Sequence, residues 1–190
     1  QVASVHLTAT IDTVTLARAL NAVLPLDVRV ASVEEVPDDF HARFSATGKI
    51  YDYRIVNAPF ASPFVRRYVW HVIPRLDVDA MRAAAARLVG RHDFAAFQGA
   101  GSEVHTTVRT IRRIDWSGTG GPDDPLVMQV EGDGFLRHMV RNIAGTLVDV
   151  GLRRWQPGDI DAILESRDRS RAGPTAPAAG LILREVLYLA

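Results

Sequence analysis

Cysteine is absent from the 190 residues. Disulfides, thiolate nucleophiles and cysteine metal sites are therefore excluded outright. No apolar run approaches membrane-spanning length, and no charged-then-apolar leader pattern precedes a small-residue cleavage site. Net charge is +0, so no global field draws the protein toward a nucleic acid or a membrane. Contact with a polyanion has to come from local clustering of positive groups. No Gly-x-x-x-x-Gly-Lys phosphate loop is present, and no serine lies in a Gly-x-Ser-x-Gly elbow. The histidines His6, His41, His71, His92, His105 and His138 include no pair at helical metal-ligand spacing and no tight cluster with Asp or Glu. No metal and no cofactor are expected, and a cytoplasmic location is the expectation from the lack of cysteine.

Hydrophobic residues at 47% and charged residues at 23% are the proportions of a globular chain able to bury a substantial core. Alternation predicts strands over residues 2–8, from Val28 to Val33, over 43–57, over 67–73, over 107–116, over 126–130 and over 181–189. Helical spacing predicts a helix capped by Asp12 or Thr13 and stopped before Pro25. A second is capped by Asp77 or Asp79, with Met81, Ala84, Ala85 and Leu88 on one stripe and Gly90 as its stop. His92 and Asp93 fall at the end of that helix. A third runs from Leu136 to Gly151, and a short one covers 159–165. Hairpin-linked strands with fewer helices between them predict an α+β fold, a mainly antiparallel sheet with helices packed on one face. The expected division is 1–57, holding the central strand, and 58–190, the two parts sharing one sheet and one cleft.

Two windows carry chemistry. In Pro37–Asn57 the positive groups His41, Arg43, Lys49 and Arg54 are interleaved with Phe40, Phe44, Tyr51 and Tyr53. Positive groups meet phosphates, and flat rings stack on a base removed from its helix. Tyr51, Tyr53 and Ile55 share one face of an extended segment, which equally describes an ordinary half-buried strand. In Glu131–Gly145, Arg137 and Arg141 stand at i, i+4 on the border of an apolar helical stripe. There a guanidinium either snorkels to water or holds a carboxylate with two parallel hydrogen bonds.

Together the windows resemble the tRNA pseudouridine synthase A family. The matching strings are Pro37-Asp-Asp-Phe-His-Ala-Arg-Phe-Ser-Ala-Thr with Tyr51-Asp-Tyr53, His92-Asp-Phe94 with Phe97, Thr107-Val-Arg109-Thr-Ile, Gly134-Phe-Leu-Arg-His-Met-Val-Arg-Asn-Ile-Ala-Gly145 and Ala178-Ala-Gly-Leu181. They stand in the family's order and cover nearly the whole chain. The resemblance implies isomerisation of uridine to pseudouridine in the anticodon stem and loop of tRNA, at positions 38 to 40, by a cofactor-free homodimer with a basic cleft. It implies that Tyr51 stacks on the target uracil and that its hydroxyl takes the C5 proton. Arg141 would pair with the nucleophilic aspartate, and His41, Arg43, Arg137 and His138 would lie near the RNA or the cleft.

One departure is serious. The family's nucleophile lies in an Arg-Thr-Asp-Ala-Gly-Val-His motif that none of these residues matches, Asp12, Asp38, Asp39, Asp52 and Asp133 included. Gln1-Val2-Ala3 resembles the start of the strand that follows that motif. The expectation is a portion lying downstream of the catalytic loop, a fragment inactive as given. The alternative is a tRNA-binding module that performs no chemistry.

Overall fold

A computed structural model describes residues 1–101 and 104–189. The chain divides into two compact units, Val2–Ala46 and Thr47–Ala190.

In the smaller unit, α1 (Thr13–Val23) begins where the Asp12 carboxylate accepts from the Thr15 backbone N–H at 2.9 Å. Leu24 turns extended and Pro25 follows. The two strands predicted on either side of α1 do not form. Val2, Val5 and Leu7 are 44%, 72% and 54% exposed, so the alternation there buries no face that would fix a register. Near Val30 the reason is a side chain. Asn21 accepts from the Val30 N–H and donates to the Val30 carbonyl, both at 2.9 Å, and so occupies the groups a neighbouring strand would need.

The larger unit is built on β1 (Ala46–Val56). After it come β2 (Trp70–His71), α2 (Val78–Ala86), β3 (Gly90–Asp93), β4 (Val108–Ser117), β5 (Leu126–Gly132), α3 (Met139–Gly151), α4 (Asp159–Ser166) and β6 (Leu181–Tyr188). The sheet order is β2-β1-β5-β4-β3, with β6 also paired to β1. The β1–β5, β5–β4 and β4–β3 pairs are antiparallel and β1–β2 is parallel, which makes the fold α+β on a mixed sheet.

Two predicted elements differ in kind. The strand expected over 67–73 shrinks to Trp70–His71, because Arg66–Tyr68 closes into a 3-10 turn held by Tyr68 N–H donating to Val65 O. Gly90 does not stop the second helix, which ends at Ala86. With φ at 115° Gly90 opens β3 instead, and His92 and Asp93 are strand residues facing Arg109 and Val108.

Tyr53 and Ile55 of β1 meet Leu126, Met128 and Val130 of β5, the register placing Tyr53 opposite Met128 and Ile55 opposite Leu126. Met81 and Leu88 from the α2 segment, Ile143 and Leu147 from α3, and Ile160 from α4 complete one core. Each such side chain contributes roughly 1.5–3 kcal/mol by leaving water.

Candidate active site

Helix α3 buries every one of its residues except Arg141. The sequence pattern promises one apolar stripe, but a second layer covers the outer side. The loop around Gly173–Ala176 lies so close that a Cβ on Gly145 would fall 1.7 Å from the Pro174 carbonyl oxygen. Arg141 is half-buried where that loop meets the helix. Its Nε donates to Ala176 O at 2.7 Å, and the Ala176 N–H returns a bond to Arg141 O at 3.2 Å. Among the described residues the Nη groups have no hydrogen-bond partner, so the guanidinium is anchored at one corner and its terminal N–H groups remain available.

Tyr53 lies beneath this corner. Its hydroxyl donates to Pro177 O at 2.7 Å, and its ring is fully buried. Burial pushes the Tyr53 hydroxyl far up, and the Arg141 charge opposes part of that rise. Tyr51 is two residues back on the same face of β1, opposite Val130, with its ring edge-on to Phe135 at 5.2 Å and 89°. It is half-buried, and burial raises its hydroxyl, so Tyr51 is a neutral phenol at neutral pH. Tyr51 and Tyr53 thus share one face of β1, and Tyr53 is the one that reaches Pro177, next to the Ala176 carbonyl that anchors Arg141. The arrangement offers a ring for stacking and a cation with unclaimed donors.

Arg137 and His138 occupy the turn before α3, since the helix starts at Met139. Arg137 is therefore not on the helix, and the i, i+4 relation to Arg141 does not apply. Arg137 Nη1 donates to Gly101 O at 2.9 Å, and Arg137 O accepts from the Gly99 N–H at 2.7 Å. His138 is held at φ 59°, a left-handed conformation uncommon outside glycine but one that His adopts more readily than most side chains. Desolvation first, then Arg141 and Arg137, lowers its pKa, so the imidazole is neutral at pH 7.

His41 and Arg43 belong to the smaller unit. They sit in a turn, since β1 begins only at Ala46 and not at the predicted residue 43. The His41 Nδ1 accepts from the Arg43 N–H at 3.1 Å, and Arg43 lies 5.4 Å from the Phe44 ring centroid. Phe44 itself is 75% exposed.

Residue-by-residue reading passed over Asn142, Arg169, Thr175 and Phe135. The available signal was Asn142, a polar residue inside an apolar helical stripe, which needs a partner when buried. Two surface cavities lie elsewhere, about 570 Å³ beside Trp116 and about 700 Å³ around Asp77 and Arg153, and neither is lined by Tyr51 or Arg141. Among the described residues no group of three His, Asp or Glu is placed to hold a metal, and no helix is long and apolar enough to cross a membrane.

The profile of a family described as tRNA pseudouridine synthase matches residues 84–188, which takes in α3, Arg141 and the Ala176 loop. A protein named tRNA pseudouridine synthase A 2, from Clostridium tetani, is 48% identical over 170 residues, 90% of this chain and 67% of that protein. The chain belongs to the tRNA pseudouridine synthase A family. Two further relatives, both named tRNA pseudouridine synthase A, show the same relation to this member. The Bacillus pumilus protein is 47% identical over 90% of this chain and 68% of its own length. The Myxococcus xanthus protein is 49% identical over 89% of this chain and 63% of its own length. The chain spans about two thirds of the length of the relatives it matches.

Proposed function

We propose that these residues form the uracil-facing part of an enzyme that isomerises uridine to pseudouridine in the anticodon stem-loop of tRNA. In that reaction the N1–C1′ bond breaks, the base turns, and a C5–C1′ bond forms while the C5 proton is exchanged for one on N1. The atoms balance within the nucleotide, so neither oxidant nor reductant is needed.

The observation that carries the reading is the exposed corner of Arg141. In a helix otherwise wholly buried, one guanidinium is fixed through Nε and leaves its Nη groups unpaired among the described residues. A carboxylate seated there would be held ionised and oriented by a bidentate pair. Tyr51 supplies the ring on which an extruded uracil stacks. Its raised pKa constrains the second role given to it: a neutral phenol takes the C5 proton only as its own proton passes, through water, to N1 of the turned base. His41, Arg43, Arg137 and His138 supply positive or polar groups for the RNA backbone. Since no aspartate here stands in the nucleophile motif, the 190 residues perform no turnover by themselves.

The test uses tritium release from uridine-labelled tRNA. The 190-residue chain alone should release none. A chain extended at its amino terminus by a segment bearing the Arg-Thr-Asp-Ala-Gly-Val-His motif should turn over, and Arg141→Ala in that chain should lose about 10²-fold or more of kcat/KM. Turnover by the unextended chain, or an Arg141→Ala variant of full activity, would overturn the reading. An extended chain that binds tRNA without releasing tritium would favour the non-catalytic module, the reading suggested by the absence of the motif.

A further inference from the structure

The loop that meets Arg141 is itself tied down by a polar cluster. Arg169, in the 3-10 turn Arg169–Arg171, donates through Nη1 to Gly173 O at 2.9 Å and to Ala172 O at 3.3 Å. Its Nη2 donates to Asn142 Oδ1 at 3.0 Å and to Thr175 Oγ1 at 3.1 Å. The Thr175 hydroxyl in turn donates to the same Asn142 Oδ1 at 2.6 Å. Asn142 is fully buried and immediately follows Arg141, and its Nδ2 donates to Phe97 O at 2.7 Å. One turn further along, the Thr146 hydroxyl donates to Asn142 O at 2.8 Å and accepts from the Gly173 N–H at 2.9 Å.

Every residue from Gly173 to Pro177 is thereby located. Gly173 is held by Thr146 and Arg169, and the Pro174 carbonyl fits against Gly145. Thr175 is held by Asn142 and Arg169, Ala176 by Arg141, and Pro177 by Tyr53. Only the Ala176 carbonyl fixes Arg141 Nε among the described residues, and Thr175 holds the chain one residue before it as Tyr53 holds it one residue after.

We propose that Arg169, acting through Asn142 and Thr175, is a positioning residue for Arg141. Without it the 173–177 segment keeps its chain path but loses the alignment that presents the Arg141 Nη groups. The proposal rests on the role given above to Arg141 and names what sets its geometry. Thr175 is the sharper probe, because valine has its shape without its hydroxyl and serine has its hydroxyl without its methyl.

The decisive measurement follows the Nε–H resonance of Arg141 in the nitrogen-15-labelled 190-residue chain, assigned by its loss in Arg141→Lys. The Nε–H of Arg113, which donates to Glu131 at 2.8 Å on β4, serves as the internal control. Thr175→Val and Arg169→Ala should speed exchange at Arg141 by about tenfold, of the size expected for weakening one well-made hydrogen bond, while Arg113 is unchanged and Thr175→Ser stays near wild type. Unchanged exchange at Arg141 in Thr175→Val would overturn the proposal, and so would equal acceleration at Arg113, which marks general loosening. If Arg169→Ala does not fold, the Thr175 pair decides. In the motif-extended chain, Thr175→Val should lower kcat about tenfold with KM for tRNA unchanged, since small misplacements act on the chemical step. A wild-type kcat there would also overturn it. Failure of the underlying reading is separate: Arg141→Ala would keep full activity whatever the Arg141 exchange rates show.

Discussion

Arg141 and Ala176 exchange two hydrogen bonds across 35 residues of chain, side chain to carbonyl at 2.7 Å and amide to carbonyl at 3.2 Å. This reciprocal pair joins α3 to the segment entering β6, and it gives Arg141 a fixed hinge point whose Nη groups have no partner among the described residues.

Arg141→Lys tests that geometry. Lysine keeps the charge but has no Nε–H beside a planar fork, so it cannot hold Ala176 O and offer a bidentate face together. Urea unfolding should show a loss of about 1 kcal/mol, and turnover in the motif-extended chain should fall with it. Wild-type values for both would show that charge alone suffices.

Alkaline pH should weaken the fold. Burial raises the hydroxyls of Tyr51 and Tyr53 above the value they take in the unfolded chain. The folded state therefore keeps protons that the unfolded state gives up above about pH 10, and stability is complete below that point and declines above it. In Tyr53→Phe this decline should be shallower, and at neutral pH the variant should lose about 1 kcal/mol because Pro177 O loses its donor. Melting curves between pH 8 and 11 measure both effects.

The caps of α1 and α2 were legible because they are local: Asp12 and Asp77 each accept from an N–H three residues ahead. The shared face of Tyr51 and Tyr53 was legible for the same reason. Alternation assigns a face without assigning depth, however, and Tyr53 proves fully buried while Tyr51 is only half so. The failed strand at Val28–Val33 turned on Asn21, nine residues from Val30, which no local pattern encodes. Arg141 stood out through a motif. Its partner Ala176 did not, because that contact depends on a loop pressed against Gly145 from far along the chain.

Gly145→Ala should be among the most damaging small substitutions. The added methyl would lie 1.7 Å from a backbone oxygen, and backbone cannot swing aside like the end of a side chain. A loss of about 1–3 kcal/mol or more is expected, with the Arg141 Nε–H exchanging faster. Gly158→Ala is the control, because nothing lies within 4 Å of a Cβ placed there. Equal midpoints for the two variants in urea would refute the close approach.

With a net charge of +0, binding to an anticodon-arm RNA should depend on local cations and therefore on salt. Filter binding across a salt series should give a steep slope, and Arg43→Ala should reduce that slope by roughly one. A flat series would count against His41, Arg43 and Arg137 as backbone contacts.

The pairing of Tyr51 with Val130 governs how this scaffold tolerates added or deleted residues. The connection from Gly118 to Pro125 joins the ends of β4 and β5 away from Tyr51, and it is tied to the end of β1, where Gly120 O accepts from the Asn57 N–H at 2.8 Å. One residue inserted between Val127 and Val130 would invert every side chain beyond it. The hairpin tip and the ladder therefore both hold β5 in register against β1.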